Sequence, residues 1–188
     1  MRRLTIGIDL DGVVFRTLDK VLERYNEEHG TRFRSEQILD WNTHQWIGGD
    51  RSIYDYFQDP ETFLDLPVND HAVDVLERLD AKHDVYLVTD THYRCLETRM
   101  GELNRLFPPE RFSFMKDRKI FVGKFKELIM LDVLLDDKPE NVMHFNRRGY
   151  GMAVMFDWVL NRHVRDVHRV QDWLEFERVI EQMEGGRD

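Results

Sequence analysis

Five short apolar runs punctuate the 188-residue chain: Leu4–Asp9, Val85–Thr89, Ile120–Val122, Val133–Asp136 and Ala153–Phe156. Each is nearly continuous in apolar character, as expected of strands covered on both faces of a sheet. Between them the period changes. Ala72, Val75, Leu76 and Leu79 recur at helical spacing, and Leu96, Met100, Leu103 and Phe107 do so almost as regularly. Pro139 stands where a first helical residue is well tolerated, and Gly149 where that helix would stop. Asp172-Trp173-Leu174-Glu175 has capping-box spacing ahead of Phe176, Val179, Ile180 and Met183. Alternation of this kind predicts an α/β fold, a Rossmann-like parallel sheet of about five strands flanked by helices.

The first strand breaks the rhythm. A helical pattern (Phe15, Leu18, Val21, Leu22, Tyr25) runs to Gly30, and an aromatic-rich stretch follows with Trp41, Trp46, Tyr54, Tyr56, Phe57 and Phe63. No strand pattern intervenes before Leu66. The chain therefore divides into a core domain, residues 1–14 and 67–188, and a small helical cap subdomain, residues 15–66. Most of the cap aromatics are expected to form its own small core, and a minority to line a pocket mouth. Only Gly185–Asp188 reads as a frayed tail.

Composition narrows the partners. Lys+Arg 27 against Asp+Glu 36 gives −9, which argues against a general polyanion binder. It leaves open a small phosphate site built from a metal and a few placed cations. The single cysteine, Cys95, excludes an internal disulfide and fits a reducing compartment. No apolar run approaches the roughly 18–20 residues of a membrane span. Met1-Arg2-Arg3 leads straight into the first strand, too short for a secretory leader, so a cytoplasmic location is expected.

The chemistry concentrates at strand ends, where open α/β sheets bind ligands. The first strand ends Asp9-Leu10-Asp11-Gly12-Val13, the second Thr89-Asp90-Thr91, the fourth Asp136-Asp137-Lys138-Pro139. Crowded carboxylates repel one another unless a cation neutralises them, and hard oxygen ligands suit Mg²⁺. Mg²⁺ typically uses one or two carboxylates, which leaves another free for covalent or acid–base work. Either acidic pair alone would read as turn residues; both pairs together with a threonine and an upstream lysine make a site.

These residues resemble the four ordered motifs of the haloacid dehalogenase-like phosphohydrolases. More narrowly, the chain is similar to small bacterial members of the 5'(3')-deoxyribonucleotidase family. Leu64-Asp65-Leu66-Pro67, Asp132 to Asn141, Asn161-Arg162 and Arg169 to Trp173 extend the likeness over nearly the whole length. The resemblance implies Asp9 as nucleophile and Asp11 as general acid/base. It implies Mg²⁺ on the Asp9 carboxylate, the Asp11 main-chain carbonyl and Asp137, with Asp136 behind them or as an alternate ligand. Thr89 would bind a phosphoryl oxygen. The motif lysine falls ten residues before the acidic pair, at Lys126, with Lys124 as its rival in Gly123-Lys124-Phe125-Lys126.

One departure follows Thr89, where Asp90 stands in place of the serine common in such nucleotidases. Phosphate would then meet the backbone N–H groups of Asp90 and Thr91. Phe15, Trp41, Trp46 and Tyr54 are the candidates to stack on a base. The partner implied is a small phosphomonoester, a nucleotide first, with no nucleic-acid polymer and no membrane; a homodimer is compatible with the family. A phosphatase for a sugar phosphate shares every motif and is the main alternative. A receiver-like phosphoacceptor is disfavoured because its acidic pair belongs to the first strand, and a non-catalytic nucleotide-binding module because no catalytic residue is missing.

Overall fold

The computed structural model describes residues 2–185. One sheet organises them, with strands β1 (Thr5–Ile8), β2 (Asp84–Thr89), β3 (Ile120–Val122), β4 (Val133–Asp136), β5 (Met152–Phe156) and β6 (Arg169–Val170). Their spatial order is β3-β2-β1-β4-β5-β6, parallel throughout. The sheet has six strands, one beyond the five apolar runs. β6 escapes a periodicity reading because it is two residues long and half of it is arginine; pairing with Met155 and Phe156 of β5 creates it. Nor is β3 buried on both faces, as its apolar sequence suggests. It is the edge strand, and Phe121 and Val122 are exposed.

The helices are α1 (Thr17–His29), the single turns α2 (Thr43–Trp46) and α3 (Ile53–Tyr56), α4 (Ala72–Lys82), α5 (Leu96–Leu106), the turn α6 (Ser113–Lys116), α7 (Pro139–Arg148) and α8 (Trp173–Gly185). Local chemistry sets several ends. Gly30 and Gly149 close α1 and α7 in the left-handed conformation. Asp172 accepts from the Glu175 N–H at 2.7 Å, while the Glu175 carboxylate accepts from the N–H of Gln171, one residue before the partner of an ideal capping box. Gly185 is the last residue of α8, and the remainder of the expected tail, 186–188, lies outside the described residues.

Alternation along the strands divides the core. Ile6, Ile8, Val85, Leu87, Val133, Leu135 and Val154 face a large cluster completed by α4, α5 and α8, with Trp173 fully buried in it. Leu134, Ala153 and Met155 face the other way, onto Val142 and Phe145 of α7. A third cluster lies within the inserted segment, where Leu18, Val21, Leu22 and Tyr25 of α1 pack on Ile38, Ile47, Ile53 and Tyr56. Leu160, beyond β5, reaches into this cluster from the sheet side. Phe63, by contrast, belongs to the main core.

The chain leaves the sheet and returns to it side by side. Arg16 donates to the Pro67 carbonyl and Asn69 to that of Val14; the Asn69 amide and the Trp173 indole both donate to the Val13 carbonyl. This lacing fixes the turn after β1, from which the functional residues project.

Candidate active site

The strand order puts β1 between β2 and β4, so Asp9, Thr89 and Asp136 sit at three adjacent carboxyl ends. Asp9 continues the ladder by donating its N–H to the Leu135 carbonyl at 2.9 Å. Its carboxylate is buried, and Oδ1 lies 2.6 Å from Nζ of Lys126. The same ammonium donates to Oδ2 of Asp136 at 2.7 Å. Asp136 also accepts from the N–H of Lys138 and from the Asn141 amide, so both of its oxygens are engaged. The carboxylate of Asp137 comes within 4.8 Å of those of Asp9 and Asp136.

Three buried acids and one buried cation leave an excess of negative charge. Burial is the largest influence on Asp9 and raises its carboxyl to about 7; Lys126 opposes the rise, and Asp136 and Asp11 add to it. Asp137 is raised well above the usual carboxylate range by burial and then by Asp9 and Asp136. For Lys126, burial works against the charge, but Asp136 and Asp9 outweigh it and hold the ammonium protonated. This donor set fits Mg²⁺: hard carboxylate oxygens, crowded and under-neutralised, with no hydrogen bond to the Asp137 carboxylate among the described residues.

Asp11 points beside this cluster and is about a third exposed. Its Oδ1 accepts from the Thr17 hydroxyl and, at 2.5 Å, from Nη2 of Arg99. Gly12 follows at φ +83°, and a Cβ there would lie 2.1 Å from Oδ2 of Asp137 and 2.6 Å from the Trp158 ring. Only glycine can make this turn and leave Asp137 room. From the other side Asn161, fully buried, donates to the main-chain carbonyls of Asp137 and Phe156, both at 2.8 Å.

A cavity of about 420 Å³ opens above these groups. Its polar lining includes Asp9, Asp11, Asp137, Asp90, Thr91, Lys124, Lys126, Lys138 and Asn141, with Gly12. Its apolar lining includes Trp41, Tyr54, Phe57, Phe63, Trp158 and Leu160.

The structure therefore brings together Asp9, Asp11, Asp90, Thr91, Lys126, Asp137, Trp41 and Tyr54. Thr89 and Asp136 lie just behind the cavity wall, Thr89 with its hydroxyl 3.0 Å from that of Thr91. Between the two candidate lysines the geometry discriminates, since Lys126 is buried on Asp9 while Lys124 is an exposed rim residue. Phe15 does not reach the cavity. The lacing of the two chain passes turns its ring into the main core, where it is 1% exposed. Trp46 does not reach it either, because it ends the single turn α2 on the solvent side and is 37% exposed. Arg99, Trp158, Asn161 and Thr17 join the site without having been legible as site residues.

The chain is similar to known proteins over nearly its whole length. A family model described as 5' nucleotidase, deoxy (pyrimidine), cytosolic type C protein matches residues 2–184. A 5'(3')-deoxyribonucleotidase of Clostridium acetobutylicum is 30% identical over 186 residues, covering 97% of this chain and 98% of that protein. The 5'(3')-deoxyribonucleotidase of Bacillus subtilis is 27% identical over 177 residues, covering 93% and 97%. Among solved structures, a haloacid dehalogenase-like hydrolase of Streptococcus pneumoniae superposes with a TM-score of 0.58 at 14% identity, covering 95% and 98%. A HAD-hydrolase of Bacillus subtilis bound to magnesium superposes with a TM-score of 0.60 at 13% identity, covering 96% and 100%.

Proposed function

The chain belongs to the family of cytosolic type C deoxy-5'-nucleotidases and is a phosphoric monoester hydrolase, and we propose on that premise that it hydrolyses nucleoside monophosphates, deoxyribonucleotides foremost, with Mg²⁺ and through a phosphorylated Asp9. The observation that carries this reading is the pairing of Asp9 with Lys126 at 2.6 Å in a cavity lined by acidic groups, lysines and aromatic rings.

In this reading Asp9 attacks phosphorus and forms an acyl phosphate. Lys126 offsets the negative charge of nucleophile and phosphoryl group as they approach. Asp11 gives its proton to the leaving oxygen as the P–O bond breaks, then takes one from the water that attacks the acyl phosphate. The Thr91 hydroxyl and the backbone N–H groups of Asp90 and Thr91 hold phosphoryl oxygens, and Thr89, behind the wall, acts through its hydroxyl contact with Thr91. Asp9, Asp137 and the main-chain carbonyl of Asp11 would hold Mg²⁺, which when bound supplies positive charge against the crowded carboxylates and the phosphate dianion. Asn161 fixes the main chain of Asp137 for that duty.

Metal binding has a readout independent of turnover. Mg²⁺ should raise the melting temperature of the metal-free protein, because it binds the folded acidic cluster and not the unfolded chain. EDTA should abolish hydrolysis and excess Mg²⁺ restore it, and Asp137→Asn should erase most of the thermal shift. Turnover that persists in excess EDTA would remove the metal from the mechanism.

The aromatic wall is the base-binding element in this reading. Stacking of a base on an aromatic ring is worth roughly 1–3 kcal/mol, so Trp41→Ala or Tyr54→Ala should raise KM for a nucleoside monophosphate about 5- to 150-fold. Hydrolysis of p-nitrophenyl phosphate should be spared, and Trp46→Ala should change neither. Initial rates with deoxyribonucleotides, ribonucleotides and sugar phosphates decide the substrate class. Preference for a sugar phosphate, with the wall variants inert, would make the enzyme a small-molecule phosphatase instead.

A further inference from the structure

Two permanently charged cations are buried among the described residues, Lys126 and Arg99. Lys126 has two carboxylates. Arg99, on α5, is 1% exposed, and its hydrogen bonding is meagre: Nη2 donates to Oδ1 of Asp11, while Nε and Nη1 are buried with no partner among the described residues. The guanidinium is clasped by two rings, its carbon 5.2 Å from the centre of Phe15 and 4.5 Å from that of Phe63. Withdrawing a guanidinium from water for a single acceptor is unfavourable, and a fold gains nothing from it that an apolar side chain would not supply better. The aromatic clasp recovers part of the cost through cation–π attraction and holds the fork in one orientation. What that orientation achieves is control of one carboxylate.

We propose that Arg99 is a positioning residue for the acid/base carboxylate, an inference that rests on the role given to Asp11 above. Arg99 and Thr17 both bind Oδ1 of Asp11. A carboxylate held twice through one oxygen keeps its rotamer, and Oδ2 is left as the oxygen that exchanges a proton with the leaving group and then with water. Arg99 is not on the cavity wall, so it acts through Asp11 and not on the substrate. Its clasp has a further consequence. Phe15 lies where the chain leaves the sheet and Phe63 where it comes back, so the anchor of Asp11 is built from both crossings of the inserted segment. The aim of the proton donor is tied to the seating of that segment.

The test compares a nucleoside monophosphate, whose alkoxide leaving group needs a proton, with p-nitrophenyl phosphate, whose phenolate hardly does. Asp11→Asn comes first; if both substrates suffer equally, Asp11 is not the acid and the reading beneath this inference fails. If the nucleotide suffers more, Arg99→Met is informative, since methionine fills the clasp without leaving a buried charge unpaired. The variant is expected to lose about 10- to 100-fold in kcat on the nucleotide, with KM nearly unchanged and p-nitrophenyl phosphate much less affected. Adding Arg99→Met to Asp11→Asn should cost nothing more, because the two side chains act as one unit. Equal losses on both substrates, or losses that multiply in the double variant, would make Arg99 a structural residue and overturn the proposal. Should Arg99→Met not fold, Arg99→Lys carries the same comparison: it keeps the charge, loses the fork and should show the same ordering with a smaller loss, and a uniform loss would overturn the proposal.

Discussion

Asp9→Asn is expected to leave a folded protein whose turnover of nucleoside monophosphates is lower by several orders of magnitude. The amide keeps the shape of the side chain but cannot attack phosphorus, and the neighbouring carboxylates have other duties in this account: Asp136 is saturated by Lys126, Lys138 and Asn141, Asp137 holds the metal and Asp11 moves the proton. Stability should move the opposite way from activity. Folding raises the Asp9 carboxyl from 3.8 to about 7, so the folded state binds a proton that the unfolded state has released. Stability therefore falls as pH rises through that window, and the deficit is complete above it. Asn at this position is exempt. At pH 8 and without metal, the variant should melt at a higher temperature than the parent, while below pH 4 this advantage should vanish. Thermal melts across that range, run beside steady-state assays, separate a dead enzyme from an unfolded one.

Lys126→Met should damage stability and turnover together. It removes the cation that touches Asp9 and Asp136 and leaves two buried carboxylates facing each other. Breaking a buried pair in this way typically costs about 3–5 kcal/mol of stability. Loss of a charge contact to the transferring group typically costs on the order of 10²-fold or more in kcat. Lys124→Ala, at the exposed rim, should alter KM modestly and leave kcat and the urea midpoint close to the parent values. The opposite ranking of the two lysines would move the phosphoryl-facing cation to Lys124.

The sheet was legible because buried parallel strands need apolar residues on both faces, which writes runs such as Val133–Asp136 plainly into the chain. The acidic residues were legible because they stand where such runs stop. Orientation was harder to read. Trp41, Trp46 and Tyr54 are equally suited to stacking, but Trp46 ends a single helical turn on the solvent side while the other two face the cavity. Phe15 follows the first motif directly, and only the hydrogen-bonded return of the chain turns it inward. Arg99 was hidden more deeply. On the Leu96–Phe107 stripe an arginine reads as solvated, and its burial is meaningful only once Asp11 and two phenylalanines from distant parts of the chain meet it. Trp158 and Asn161 follow the last long strand without any periodic signal; their roles come from packing on Gly12 and from binding the Asp137 carbonyl.

The most direct test is to catch the covalent state. The enzyme, mixed with Mg²⁺ and a deoxynucleoside monophosphate, is acid-quenched during turnover and treated with borohydride, which reduces an acyl phosphate to the alcohol; peptide mass spectrometry then reads each carboxylate. Homoserine at position 9, absent without substrate and absent in Asp9→Asn, is the predicted result. Reduction at a different carboxylate, or none at any quench time while phosphate is being released, would contradict the account.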